Sequence, residues 1–388
     1  MPPKMSPLSF GFAPRVAALY AGIFMLGGIQ LPFFPLWLEA KGLDARQIGI
    51  VLAAPMVVRL FAIPAAARIA EHTGALRGTI AAALAAATVG YFAVGFGTGF
   101  LTILILVALA STAWSPASPL AEAYALRGLG ERNRAYGPVR LWGSVAFILG
   151  TFLAGYVVDA FPAHDLIWLI VAALALSALA GAALEPMNFA PRAPPRGMTR
   201  RLLTDPAFLA VTAASGLIQG SHALYYGFSA LDWSKAGLDG TVIAMLWALG
   251  VLAEIALFAA QGRLPPVLTP AVLMFIGGAG GALRWLVMAF DPPTAALPIL
   301  QLLHGLSFGA THLGALALLV KIAPEGRGAT AQGYYAIGLG IVMAAMMSLS
   351  GWLYAAYGNA AYAAMALAAV AGCACAAIAH QARQRVVP

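Results

Sequence analysis

Apolar residues run in long stretches along this chain, and the charged ones gather in short gaps between them. A helix needs roughly 20 apolar residues to cross the hydrocarbon core of a bilayer. On that measure the pattern predicts spans over 13–38, 46–70, 76–97, 99–126, 135–160 and 164–185, and then 206–232, 239–262, 269–290, 295–322, 327–357 and 358–381. The expected fold is therefore an all-α membrane protein of twelve transmembrane helices. They form two six-helix halves, 1–186 and 206–388, joined by a polar, Pro-rich linker at 187–205. Several spans exceed the length required, so bent or tilted helices are expected, with Pro32, Pro35, Pro55, Pro64, Pro116 and Pro119 as bend points.

Composition agrees with this pattern. Hydrophobic residues make up 62% of the chain and charged ones 9%, and the mean hydropathy is +0.86. A soluble domain needs more charge than that to cover its surface, whereas lipid is itself an apolar solvent. The net charge of +8 does not mark a nucleic-acid binder, because the cations fall in clusters between spans. One set of loops holds Arg68, Arg77, Arg127, Arg132, Arg134, Arg192, Arg196, Arg200, Arg201, Arg263, Lys321 and Arg327, and the tails add Lys4, Arg15, Arg383 and Arg385. The opposite loops hold Lys41, Arg46 and Lys235. By the positive-inside rule both termini are expected to be cytoplasmic, in the inner membrane. No cleavable signal peptide is expected. Cys373 and Cys375 lie in the last apolar stretch without other ligands nearby, so no metal and no cofactor are expected.

The chain also repeats. Pro35-Leu-Trp-Leu-Glu-Ala-Lys-Gly-Leu43 matches Ala230-Leu-Asp-Trp-Ser-Lys-Ala-Gly-Leu238 at an offset of 195, and Glu131-Arg-Asn-Arg-Ala135 echoes Glu325-Gly-Arg-Gly-Ala329 at 194. Half the chain is thus laid out like the other half, in parallel orientation, as in transporters built from internal repeats.

Few ionisable groups lie deep within the spans: Arg59, Glu122, Arg140, Glu254 and Arg284, with His222, His304 and His312. Each costs a few kcal/mol near the bilayer centre, so they are expected to face one another or a wet cavity. Glu122 and Arg140 reach similar depths on antiparallel neighbours and read as a carboxylate–guanidinium pair that orients a substrate, or else as a structural ion pair. Glu254, Arg284 and His304 read as a second cluster. Burial favours a protonated carboxyl and a nearby guanidinium the ionised one, and a group poised between them exchanges protons. Glu254 is the first candidate for the proton carrier, His304 the second and Glu122 the third. His304 and His312 are eight residues apart and share a helix face. Trp37, Trp114, Trp142, Phe147, Tyr225, Tyr226, Trp233 and Trp285 supply aromatic surface near these groups. A pocket of that kind around an arginine suits a small aryl anion. No H-E-x-x-H and no paired intramembrane aspartates point to an enzyme.

Leu31-Pro-Phe-Phe-Pro-Leu-Trp-Leu38, Glu122 and Tyr136-Gly-x-x-Arg140 with Gly143 resemble lactose-permease-type members of the major facilitator superfamily. Gln219-Gly-Ser-His-Ala-Leu-Tyr-Tyr-Gly-Phe-Ser229, Gly250-Val-Leu-Ala-Glu254 and Leu303-His-Gly-Leu-Ser-Phe-Gly-Ala-Thr-His312 are more similar to the phenylpropionate-permease branch. The resemblance implies substrate contacts at Glu122, Arg140, Phe147, His222, Tyr226, His304 and His312, and proton coupling at Glu254, Arg284 and His304. It departs from the lactose-permease pattern at Ser307, in the place of a proton-carrying glutamate, at Gln301, in the place of a lysine, and at Phe147, in the place of a sugar-stacking tryptophan. The resulting expectation is a monomeric, proton-coupled symporter of a small aromatic carboxylate such as 3-phenylpropionate, working by rocking its two halves. A sugar or nucleoside symporter is the alternative, drug efflux comes third, and a membrane sensor that binds without transporting is the reading from another class.

Overall fold

The computed structural model describes residues 11–187, 202–323 and 328–384. Linker residues 188–201, the Glu325-Gly-Arg327 copy of the short loop repeat, and the tail cations Lys4 and Arg385 lie outside the described residues.

Among the described residues there are helices and no strands. Eleven stretches are long and apolar enough to cross a membrane, and the last of them, Thr330–Ile378, contains parts of two helices. The spans are α1 (Phe12–Ala40), α2 (Ala45–Thr73), α3 (Leu76–Gly95), α4 (Phe100–Glu131), α5 (Tyr136–Ala160) and α6 (Ala163–Ala182). They continue as α7 (Pro206–Lys235), α8 (Gly240–Arg263), α9 (Pro270–Ala289), α10 (Thr294–Ile322), α11 (Gly328–Tyr357) and α12 (Tyr362–Gln384). Local sequence sets several starts. Asp44 and Gln47 exchange side-chain and backbone hydrogen bonds ahead of α2, at 2.9 and 3.1 Å, which is a capping box. Asp205 accepts from the backbone N–H groups of Ala207 and Phe208, with Pro206 at the first helical position.

Three spans are interrupted, for different reasons. In α4 the halves Phe100–Trp114 and Ala117–Glu131 meet at Ser115-Pro116, where proline cannot donate to the helical ladder. In α7 the halves Pro206–Gly220 and Ala223–Lys235 meet at Ser221-His222, with no proline. There Ser221 Oγ donates to Ile218 O at 2.6 Å, and His222 Nδ1 lies 3.2 Å from both Ile218 O and Gln219 O. Side chains thereby occupy carbonyls that the helix would otherwise use. In α10 a π-helical turn, Gly305–Ala310, sits between α-helical pieces. Such turns recur at functional sites.

Packing divides the chain into two compact units, Met1–Trp37 with Val58–Arg192, and Leu38–Val57 with Ala193–Pro388. Lipid is as apolar as a leucine side chain, so close backbone approach and hydrogen bonding, rather than exclusion from water, hold such helices together. In the first unit Gly28 of α1 faces α5. A Cβ there would stand 2.0 Å from Phe147 O, and Thr151 Oγ1 donates to Gly28 O at 3.0 Å. Its core joins Val16, Leu19, Tyr20, Ile80, Leu84, Ala121 and Tyr124. In the second unit Phe208, Val211, Met274, Leu318 and Tyr335 form the corresponding core. The same unit holds the meeting point of the two copies of the long repeat, where Lys235 pairs with Glu39 at 2.8 Å. Beside it Tyr354 donates to Asp232, and Arg46 lies 4.4 Å over the Trp352 ring.

Gly28→Leu is expected to separate α1 from α5 at a cost of about 2 kcal/mol, read as a lower thermal midpoint in detergent. Gly137→Ala, where nothing lies within 4 Å of the added carbon, is expected to leave the midpoint in place. An unchanged midpoint in Gly28→Leu would contradict the packing described.

Candidate functional site

In the second unit the interruptions of α7 and α10 face α8 and α9, and the ionisable side chains collect there. Arg284 of α9 is wholly buried. Its Cζ lies 4.5 Å from the ring centroids of both Tyr225 and Trp285, which are 5.9 Å from each other, so the guanidinium lies against the two rings. Nη2 donates to Gln301 Oε1 at 2.5 Å, and Nη1 to His304 Nδ1 at 3.3 Å. On the other edge of that imidazole, Nε2 lies 3.7 Å from Glu254 Oε2. Gly305 makes this alignment possible: a Cβ on it would stand 3.0 Å from Ala253 O, so α8 and α10 approach closely between the residues that carry Glu254 and His304. Glu254, His304 and Arg284, expected as a cluster, are thus a row with the imidazole in the middle. No ion pair among the described residues involves Arg284.

His222 stands beside this row. Its ring lies 5.3 Å from that of His304 and 5.0 Å from that of Trp285. Nδ1 faces two carbonyl oxygens and so carries the proton, while Nε2 lies 3.0 Å from Ser307 Oγ. Ser307 therefore gives the site a neutral hydroxyl bonded to an imidazole. Trp285 Nε1 donates to Ser221 Oγ at 2.8 Å, tying α9 to the α7 break. Tyr226 lies 5.6 Å from His222, and Tyr225 stacks on Trp247 at 4.5 Å. The π turn aligns His304, Phe308 and His312 as a ladder of near-parallel rings, 5.3 and 6.0 Å apart. His312 ends that ladder beside Phe258, two turns from the Arg284 contacts. Four buried polar atoms around the aromatic box have no hydrogen-bond partner: Arg284 Nε, Gln301 Nε2, Trp247 Nε1 and Tyr362 OH. Trp247 is seven residues before Glu254 and shares its helix face. That spacing is a signal which sequence reasoning passed over; Tyr362, at the start of α12, offered none.

In the first unit Glu122 and Arg140 are not joined by an ion pair, contrary to the expectation from their depth. Tyr136 OH donates to Glu122 Oε1 at 3.4 Å and lies 3.3 Å from Tyr20 OH. Arg140 lies instead on an aromatic face, with its Cζ 3.9 Å from the Phe24 centroid and 5.7 Å from that of Tyr20. Sequence depth placed the two charges on one level, but the rings between α1 and α5 took up the guanidinium. Phe147, two turns further along α5, packs its ring against α1 at Gly27. Arg59 is exposed on α2. Of the other aromatics, Trp37 is buried and donates to His164 O at 3.0 Å, which makes it a structural tie. Trp142 is exposed on the outer face, and Trp114 packs against the core of the first unit. Trp233 joins the buried rings around Tyr225.

A buried cation against two rings, with unpartnered donors and an imidazole beside it, is suited to hold an anion. Comparison with known proteins places this geometry in context. The chain is 32% identical over 349 residues to a "Probable 3-phenylpropionic acid transporter" of Escherichia coli (strain K12), covering 88% of this chain and 91% of that one. It is 29% identical to a "Maltose permease" of Geobacillus stearothermophilus, over 83% of this chain and 82% of the relative. The fold is similar to that of the nucleoside transporter NupG, with a TM-score of 0.79 at 16% identity, over 96% of this chain and 99% of that structure. The model of the MFS_1 like family matches residues 15–364, and the chain belongs to that family of major facilitator secondary transporters.

Proposed function

We propose that this transporter carries out proton-coupled symport of a small aromatic carboxylate of the 3-phenylpropionate type. One observation carries the reading. Arg284 is a fully buried cation held by neutral acceptors and faced by the rings of Tyr225 and Trp285. A carboxylate attached to an aryl group complements both features, charge to the guanidinium and ring to ring. The name of the Escherichia coli relative supports the same chemistry. Arg140, Glu122, Phe147, His222, Tyr226, His304 and His312 serve as further substrate contacts in this reading, and Glu254, Arg284 and His304 as the proton-coupling row. In this reading the protein works as a monomer in the inner membrane with both termini cytoplasmic, and the distribution of Lys and Arg supports the placing of the termini.

The second reading, a sugar or nucleoside symporter, is favoured by the polar group of the first unit. Tyr20, Tyr136 and Glu122 form a chain of hydroxyls ending on a carboxylate, which suits a polyhydroxylated solute. A thermal-shift screen of the purified protein separates the two, since a ligand stabilises the state it binds by mass action. Aryl carboxylates are expected to raise the midpoint, and sugars and nucleosides to leave it unmoved. The reverse pattern would overturn the aromatic-acid reading.

Glu254→Gln is expected to abolish uphill accumulation and to keep counterflow of bound solute, because exchange needs no proton release. Uphill accumulation by that variant would remove Glu254 from the coupling row. Reporter fusions at residue 196 and at the C-terminus are expected to read cytoplasmic and one at residue 237 periplasmic. A periplasmic signal at 196 would overturn the proposed topology.

A further inference from the structure

Arg59 stands at the midpoint of α2, about 21 Å along the axis from Ala45 and as far from Thr73. Its guanidinium stays charged and can only donate hydrogen bonds. The side chain is exposed, and among the described residues it has no hydrogen bond, ion pair or ring contact. An arginine side chain is far shorter than the distance to either end of the helix, so Arg59 does not snorkel to a membrane surface. Nor does its own helix supply a counter-charge. The one acidic residue of α2, Glu71, is about 18 Å further along the axis, and α3 has none. Charges at such depth face water or a partner rather than lipid.

The neighbours of Arg59 along its helix face agree. Met56 and Leu52, one and two turns before it, pack with Ala53, Ala223, Tyr226 and Met347. Ala62 and Ala66, one and two turns after it, line a groove of about 470 Å³ with Thr79 of α3 and Thr112 of α4. Both threonine hydroxyls are turned back on their own helices, Thr79 to Ala75 O at 3.1 Å and Thr112 to Ala108 O at 2.8 Å, which leaves the groove apolar. The face that carries Arg59 is therefore an inward one, with apolar surface on either side of the charge.

The internal repeat points the same way. Arg59 and Glu254 are separated by the offset of the long repeat, 195, so Arg59 holds in α2 the place that Glu254 holds in α8. The interruption of α4 at Ser115-Pro116 falls at the same offset from Ala310, which ends the π turn of α10. Glu254 comes within 3.7 Å of His304 in the second unit. Its counterpart in the first unit has the opposite sign, and a cation without a counter-ion attracts an anion.

We propose that Arg59 is a second anion-binding point, separate from Arg284, that receives the carboxylate of the transported acid while the apolar surface beside it receives the hydrocarbon body. The inference rests on the aromatic-carboxylate reading above for the identity of the acid. Arg140 is the competing cation of the first unit, and the Phe24 ring already covers it at 3.9 Å.

Kinetics of Arg59→Gln in proteoliposomes test the proposal. The variant loses no partner, so its thermal midpoint in detergent is expected to match the wild type. Its KM for 3-phenylpropionate is expected to rise about tenfold with kcat within about twofold, the pattern of a lost binding contact. An unchanged KM overturns the proposal while the substrate reading stands. A lower midpoint with lost kcat at unchanged KM also overturns it and makes Arg59 structural. A second variant needs no transport. In a chain carrying Cys373→Ser and Cys375→Ser, Arg59→Cys is expected to react with a membrane-impermeant thiol reagent. Absence of reaction in the folded protein puts the side chain against lipid and overturns the proposal. If the wild type neither binds nor takes up 3-phenylpropionate, the substrate reading fails and this inference with it.

Discussion

A full charge inside a bilayer must be matched or removed, and the arrangement of the second unit follows from that constraint. Arg284 is 0% exposed in the middle of an apolar helix. Its charge is spread over two aromatic faces, anchored on the carbonyl oxygen of Gln301 and answered by Glu254 on the far side of an imidazole. Each neighbour needs a particular backbone. The α7 break brings His222 and Tyr225 inward, the π turn of α10 aligns His304 with Phe308, and Gly305 lets α8 close on α10. The interruptions of the helices and the placing of the charges are therefore one feature.

The same constraint accounts for what was legible in the sequence. Spans are legible because a bilayer demands about 20 apolar residues in a row, and the predicted stretches match the helices to within several residues. The row of Glu254, His304 and Arg284 was visible because ionisable residues are scarce in the spans. Proline is a local signal and marks the break at Pro116, whereas α1 runs unbroken through Pro32 and Pro35 and α2 through Pro55 and Pro64. Neither the break at Ser221-His222 nor the π turn carries such a signal. Both depend on which carbonyl a side chain happens to reach, or on one residue's change of winding, and those are settled by tertiary contacts. Depth along a helix gave Glu122 and Arg140 a common level, but depth says nothing about azimuth or competing rings. Phe24 and Tyr136 intervened.

The proposed coupling needs no carboxylate at Ser307. Where a buried acid would add a second negative charge, the hydroxyl of Ser307 and the imidazole of His222 form a neutral pair. Glu254 and Arg284 are then the charged members of the row, with His304 between them.

Transport under imposed gradients tests the proposed proton coupling directly. In proteoliposomes with an imposed pH gradient, accumulation of labelled 3-phenylpropionate is expected to follow the gradient and to collapse with a protonophore. Accumulation that survives the protonophore, or none under a pH gradient, would contradict the account.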